Sequence, residues 1–354
     1  MLLSFDGGGS KTAVQLCDLQ GRVLAEETID TIDYGQIGIL QVAARLKAGL
    51  NAVLRRSGKE EKALAGITVG LPRLGEIPTE SRALEQAVRE VFPATARVFP
   101  VNDVVCAMYG ALGGRPGICL LCGTGSMAMG MDGQGVIARA GGWSHIFSDQ
   151  GSGYWLGLQA MSLFAKEADG MAEKGPLYSL VLDRFGAAEP MALVAVFEKL
   201  AASRKETAAL QRLLLQAAQA GDREAQRLYE AAAQELAQLV LAIRKQLSFP
   251  QGKPVQVSFA GGMFNVGPLL TIPLQKALVG TDMEIVEPCF SPVFGGILYA
   301  AIQLGYPLAA GRKGDMDPVK AKNGMEKKPP WLASAGLASQ RNRRMMTIGL
   351  EKEK

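Results

Sequence analysis

The sequence predicts an α/β protein of about two domains. Three observations carry that prediction. Short apolar runs alternate with stretches of helical spacing through the first hundred residues. An opening pattern of strand, glycine bend and strand, "LLSFDGGGSKTAVQLC", returns later as "GICLLCGTGSMAMGMD", an internal pseudo-repeat. The chain has 354 residues, 48% of them hydrophobic and 20% charged, enough for a sizeable core.

The first apolar run, Leu2 to Phe5, stops at Asp6. Gly7, Gly8, Gly9, Ser10, Lys11 and Thr12 follow, and then a second run, Ala13 to Cys17. A Walker phosphate loop is excluded, because Ser10 stands before Lys11 and Phe5 occupies the place of the first glycine. The spacing reads as a tight hairpin, with Val23 to Glu27 as a third strand. Glycines there permit positive φ and close approach to an anion. Successive N–H groups form a nest for phosphate oxygens, and Asp6 at the strand end could hold a hydrated Mg²⁺. The plainer alternative is a turn with an incidental Asp.

Next comes a helix over Gly38–Ser57, with Leu40, Ala44, Leu46, Leu50 and Val53 at helical spacing. A strand over Leu64–Val69 ends in the loop "GLPRLGE". A helix over Thr79–Val91 precedes a short strand ending at Val101. "VNDVVCAMYGAL" is a strand end, then Asp103, then a helix start. The second set begins at Gly117. The stretch from Arg204 to Leu247 predicts two long helices, with Gly221 closing one and Asp222 capping the other. "VQVSFAGGMFN" is again strand then glycine, and "SPVFGGILYAAIQLG" one more buried helix. The expected division is residues 1–116, then 117–308 with a helical insertion and a last helix packing back on the first domain. A flexible tail over 309–354 follows, where periodicity fades.

The net charge is a modest +4. Basic residues collect late, at 320–328 and 341–344, so no nucleic-acid-binding stripe is expected in the globular part. The five cysteines are an odd number lying mostly inside apolar runs, which favours reduced thiols and a cytoplasmic location. No charged leader precedes an apolar segment, and no stretch has the length of a membrane span.

Five stretches stand in order: "FDGGGSKT", "VNDVV", "LCGTGSMA", "GGWSHIFSDQGSGYWLG" and "FAGGMFN". Together they resemble the sugar kinase, actin and heat-shock ATPase superfamily. Within it the chain looks most like the N-acetylglucosamine kinase branch, which also holds the ATPases that activate benzoyl-CoA reductase. The resemblance runs from Leu2 to about Gly305.

The resemblance implies two ribonuclease H-like, actin-like ATPase domains around a central nucleotide cleft, with ATP and Mg²⁺ as cofactors. It implies that Asp6 organises Mg²⁺ and that Gly8, Gly9, Ser10, Lys11 and Thr12 form the first phosphate loop. Gly123, Thr124, Gly125 and Ser126 match the second phosphate loop, with Thr124 near sugar and phosphate. Gly261 and Gly262 match the loop under adenine and ribose. Gly142, Trp143, Asp149 and Gly153 match the sugar loop. Asp103 matches the catalytic base; its plainer role is a helix N-cap, favoured for Asp in any protein. Closure of the two domains would exclude water. The expected reaction is ATP-dependent phosphorylation of an amino sugar, of N-acetylglucosamine or glucosamine type, at the 6-hydroxyl. The expected partner is a small-molecule sugar, and the expected assembly a homodimer, with no nucleic acid and no membrane.

The departures fall at the sugar end. The family's Gly-Asp-Glu reads Ser148-Asp149-Gln150, and its sugar-binding Asn appears as Asp33, which accepts but cannot donate. Two acceptors in one pocket favour a donor ligand, a cationic amine such as glucosamine most of all. Cys119-x-x-Cys122 sits inside an apolar strand without a second pair, which reads as core packing. His145, the single histidine, lies in the sugar loop but cannot alone define a metal site. An ATPase that activates a partner enzyme is the alternative; Trp143 and the missing cluster cysteines argue against it. A sugar sensor without catalysis is disfavoured by the retention of Asp6 and Asp103.

Overall fold

The structure is a computed structural model that describes residues 1–92 and 96–306. The tail expected over 309–354 lies outside the described residues. The described residues form two compact units: 1–92, 96–117, 131–137 and 287–306, and 118–130 with 138–286.

The first unit opens with strands β1 (Leu2–Gly7), β2 (Lys11–Cys17) and β3 (Val23–Asp30). Helices α1 (Tyr34–Ile37) and α2 (Ile39–Ser57) follow, then β4 (Gly66–Leu71), α3 (Pro78–Val91), β5 (Arg97–Asn102) and α4 (Asp103–Leu112). The sheet order is β3-β2-β1-β4-β5. β1 and β2 pair antiparallel, as do β2 and β3, while β1, β4 and β5 run parallel. Leu2, Leu3 and Phe5 are fully buried, which explains why β1 reads as a continuous apolar run rather than an alternation. α2 covers the sheet with Val42, Leu46, Leu50 and Val53, one buried stripe at helical spacing.

The second unit contains β6 (Gly117–Cys122), β7 (Ser126–Met131) and β8 (Ile137–Gly141), followed by α5 (Gly153–Ala168), α6 (Pro176–Phe185) and α7 (Val194–Ala201). Then come α8 (Arg204–Ala209), α9 (Gln211–Gln219), α10 (Arg223–Gln246), β9 (Val255–Ala260), α11 (Pro268–Ala277) and β10 (Met283–Ile285). Its sheet order, β8-β7-β6-β9-β10, repeats the first unit's order strand for strand. The pseudo-repeat in the sequence is therefore a repeat of topology, and each unit has the expected ribonuclease H-like α/β form. The first of the two long helices expected over 204–247 is divided into α8 and α9. Thr207 of α8 is fully buried against Gly157 of α5, and the chain turns at Leu210 so that Leu214 and Ala217 also reach the core. Asp222 caps α10 as expected, accepting from Ala225 N.

The last described helix, α12 (Pro292–Leu304), belongs to the first unit and packs on α4, β1 and β4. Its Gly295 lets the two helix backbones touch, since a side chain there would overlap Cys106 O and Gly110 N. No helix among the described residues is long and apolar enough to cross a membrane.

Candidate active site

Parallel strands deliver their following loops to one edge of a sheet, and ligands of α/β proteins bind at that carboxyl edge. In the first unit that edge carries two aspartates. Asp6 lies near the end of β1, opposite Gly70 of β4. Asp103 follows β5, whose Val101 pairs with Gly70 on its other side. The two carboxylates thus flank β4 at a glycine, where a side chain would crowd Cys106 Sγ and Asp103 Cα.

Asp103 is not the helix cap. Asn102 is, its side chain accepting from Val104 N at 3.1 Å, while Asp103 occupies the first helical position. Asp103 Oδ1 also accepts from Val104 N, at 3.0 Å. Burial pushes the Asp103 carboxyl up to about 6; backbone N–H donation holds it down, and the charges of Glu76 and Asp33 push it further up. Burial, then the charge of Asp103, pushes Asp6 up to about 7. Neither has an ion-pair partner among the described residues. Two uncompensated carboxylates at one edge suit a hydrated divalent cation, which needs only one or two protein carboxylates beside phosphate oxygens. Among the described residues no group of three or more His, Cys, Asp or Glu could hold a metal by itself.

The first bend is short and braced from outside. Gly8 N donates to Lys11 O at 2.9 Å, Thr31 Oγ1 donates to Gly8 O at 2.6 Å and Gln36 Nε2 donates to Gly9 O at 2.9 Å. Gly9, Ser10 and Lys11 are exposed. Thr12 stands apart: it is fully buried and its hydroxyl donates to Asp30 O, so it serves the β2–β3 ladder.

In the second unit, Gly123 to Ser126 form the bend between β6 and β7, closed by Gly123 N donating to Gly125 O. Gly153 N and Tyr154 N, at the start of α5, donate to Gly123 O and Thr124 O. Asp149, 3% exposed, accepts from Ser126 N at 3.2 Å and pairs with Arg204 Nη2 at 2.5 Å. Gly125 leaves the space this ion pair fills. Thr124 is exposed, as is Trp143, whose ring lies under the Arg139 guanidinium at 4.8 Å. Gly142 has φ of 70° and sits beside Met127. Gly261, φ 108°, and Gly262 are exposed at the start of a single 3₁₀ turn after β9. His145 packs edge-on against Tyr154.

The profile of the BadF/BadG/BcrA/BcrD ATPase family matches residues 5–300. The chain belongs to this family.

Among BadF/BadG/BcrA/BcrD relatives and similar proteins, an N-acetylmuramic acid/N-acetylglucosamine kinase of Clostridium acetobutylicum is 30% identical over 75% of this chain and 85% of its own. An N-acetyl-D-glucosamine kinase of Dictyostelium discoideum is 24% identical over 85% of this chain and 97% of its own. The crystal structure of a candidate N-acetylglucosamine kinase from Chromobacterium violaceum is 29% identical, with a TM-score of 0.66, over 84% of this chain and 97% of that one. Membership of an ATPase family makes ATP the nucleotide.

One feature of this family member escaped the sequence. The free carboxylates expected at positions 33 and 149 are not free. Asp33 is buried, caps α1 by accepting from Gly35 N, accepts from Gln36 Nε2 at 2.9 Å and pairs with Arg73 Nε at 3.3 Å. With Asp149 held by Arg204, each carboxylate already carries its own guanidinium, and the expected pull on a cationic amine loses its basis. Arg73 was legible only as part of the loop "GLPRLGE"; Arg204, 55 residues from its partner, left no local signal. The pair of thiols follows the sequence reading. Cys119 and Cys122 are buried and free in β6, and burial raises both, Cys119 to about 12. They are core, as their apolar strand suggests.

Proposed function

We propose that this chain is an ATP-dependent amino-sugar kinase, transferring the γ-phosphoryl group to a hydroxyl of a sugar of N-acetylglucosamine or glucosamine type. The observation that carries the proposal is Asp103. It stands at the carboxyl edge of the sheet, relieved of capping duty by Asn102, with its carboxyl raised by burial. The names of the relatives from Clostridium and Dictyostelium support the same activity.

In this mechanism Asp103 accepts the proton of the sugar hydroxyl as its oxygen attacks phosphorus, help worth about 10²–10⁴ in rate. We assign that hydroxyl to the 6-position. Asp6 would hold Mg²⁺, which neutralises charge on the phosphate oxygens. The N–H groups of the two glycine bends other than those of Gly8, Gly123 and Ser126, which already have protein acceptors, would orient the phosphates; Gly261 and Gly262 would leave a bare backbone for adenine and ribose. We assign to the sugar the Asp33 ion pair in the first unit and, in the second, Thr124, Gly142, Trp143, Gly153 and the Asp149 ion pair. The working assembly is a homodimer in the cytoplasm.

The test is ADP release with a panel of neutral, N-acylated and free-amine hexoses, in the parent and in Asp103→Asn. Sugar-dependent turnover that Asp103→Asn abolishes supports the assignment. Hydrolysis of ATP that no sugar accelerates would favour an ATPase serving a partner enzyme.

A further inference from the structure

Arg73 has an unusual backbone. Among the described residues only Arg73 and Asp149 are non-glycine residues with left-handed φ, each 64°. Such conformations cost free energy and collect at functional sites. Both residues belong to arginine–aspartate pairs, one in each unit.

The Arg73 pair stands at the candidate site of the first unit. Arg73 lies two residues beyond β4, the strand flanked by Asp6 and Asp103. Asp33 is tied to the first glycine bend through Gln36, whose Nε2 bridges Asp33 Oδ2 and Gly9 O, each at 2.9 Å. The Asp33 side chain is 6% exposed and that of Arg73 50% exposed. Arg73 Nε lies 3.3 Å from Asp33 Oδ1, and no hydrogen bond among the described residues starts from its terminal nitrogens. Gly35 makes this placement possible, because a methyl group there would lie 3.0 Å from Arg73 Nη1 and 3.1 Å from Cζ.

We propose that Asp33 and Arg73 form one sugar-recognition unit that selects N-acylated over free-amine sugars. The inference rests on the kinase assignment and deepens it. A lone carboxylate offers only acceptors, whereas an amide offers a donor and an acceptor. Arg73 supplies the missing donors on the open side and cancels the carboxylate's charge. The combined group donates to a hydroxyl or acyl oxygen and repels an ammonium group. Arg73 is thus a specificity-determining residue that the sequence alone did not reveal.

The experiment measures kcat and KM for N-acetylglucosamine and glucosamine in the parent, Arg73→Gln, Arg73→Lys and Gly35→Ala. In Arg73→Gln, kcat/KM for N-acetylglucosamine falls about tenfold or more, mostly through KM, as loss of a charge-assisted hydrogen bond requires. Glucosamine gains from the uncompensated Asp33, so the ratio of the two moves at least about tenfold toward the amine. Arg73→Lys keeps the positive charge and holds the ratio within about threefold. Gly35→Ala keeps the guanidinium but displaces it, and shifts the ratio in the direction of Arg73→Gln. A ratio unchanged within about twofold in Arg73→Gln, with the parent active on both sugars, overturns this inference and leaves the kinase assignment standing. A parent active on no amino sugar overturns both.

Discussion

Gly70 is where the geometry of the candidate base can be disturbed without touching a charged group. It sits in β4 with Asp6 on one side and Val101 on the other. In Gly70→Ala the new methyl carbon would lie 2.8 Å from Cys106 Sγ, 3.2 Å from Phe5 O and 3.3 Å from Asp103 Cα. Carbon and sulfur pack at roughly 3.5–4.0 Å, so the sulfur is roughly 1 Å too close. Cys106 is fully buried on α4 and cannot swing away into solvent. The strain therefore falls on the start of α4, which carries Asp103. Overpacking of this kind costs about 1–3 kcal/mol, a fall in melting temperature of roughly 3–8 °C. A catalytic group displaced by up to 1 Å can lose about 10²-fold in rate, so kcat should fall about 10- to 100-fold. Differential scanning calorimetry and steady-state ADP release measure the two effects. Adding Cys106→Ala removes the sulfur and should recover part of both, with a coupling of about 1 kcal/mol in the double-mutant cycle. Parent-like melting and turnover in Gly70→Ala, or strictly additive effects, would refute the idea that Gly70 sets the position of Asp103.

Asp103→Asn should lower kcat at least about a hundredfold while leaving nucleotide binding nearly intact. Because the base must be ionised and its carboxyl is raised to about 6, kcat/KM of the parent at saturating Mg²⁺ should be flat above that pH and fall as pH drops through it. Asp6→Asn should lose the extra thermal stabilisation that Mg²⁺ adds to ATP, measured by a thermal-shift titration of the ion at fixed nucleotide. Arg204→Ala leaves the buried Asp149 with only the Ser126 N–H and should cost about 1–3 kcal/mol, read as a lowered urea midpoint. Iodoacetamide should leave Cys119 and Cys122 unmodified in the native protein and label both in guanidinium chloride, since burial suppresses their thiolates.

Legibility followed the range of the interactions. β1, β2, α2, α4 and α12 announce themselves through apolar period and local punctuation, and Asp222 was readable as a cap because N-capping spans three residues. The glycine bends were readable for the same reason. β10 was not, being only three residues long. α6 and α7 were not, although their residues are largely apolar, because Gly170, Gly175, Pro176, Gly186 and Pro190 break the stretch into runs too short to show a helical period. Asp103 could be assigned to a strand–helix junction, but only the structure gives the cap to Asn102. The arginines are the clearest case. A carboxylate's charge is visible in a sequence, but its neutralisation by Arg73, 40 positions from Asp33, depends on the sheet bringing β3 and β4 loops to one edge.

That distinction separates the four aspartates by what they can attract. Asp33 and Asp149 are buried but carry their own guanidinium, so each presents a dipole of fixed direction rather than a net charge. Asp6 and Asp103 have no such partner among the described residues, and burial drives both carboxyls upward by desolvation. A buried anion without a partner either takes a proton or takes a cation. The proposed reaction uses Asp103 for the proton: a carboxyl raised to about 6 is still mostly ionised at neutral pH, yet is a better acceptor than an ordinary aspartate. For Asp6, at about 7, the group is only partly ionised near neutrality, so a divalent cation must compete with a proton for it. Cation affinity at Asp6 should therefore rise as pH rises through about 7. A guanidinium beside Asp6 would have removed that competition and the proposed place for a metal together. The uncompensated pair marks where charge is to be bound or moved. Under the proposed function, each compensated pair serves to orient a neutral group rather than to bind a charge.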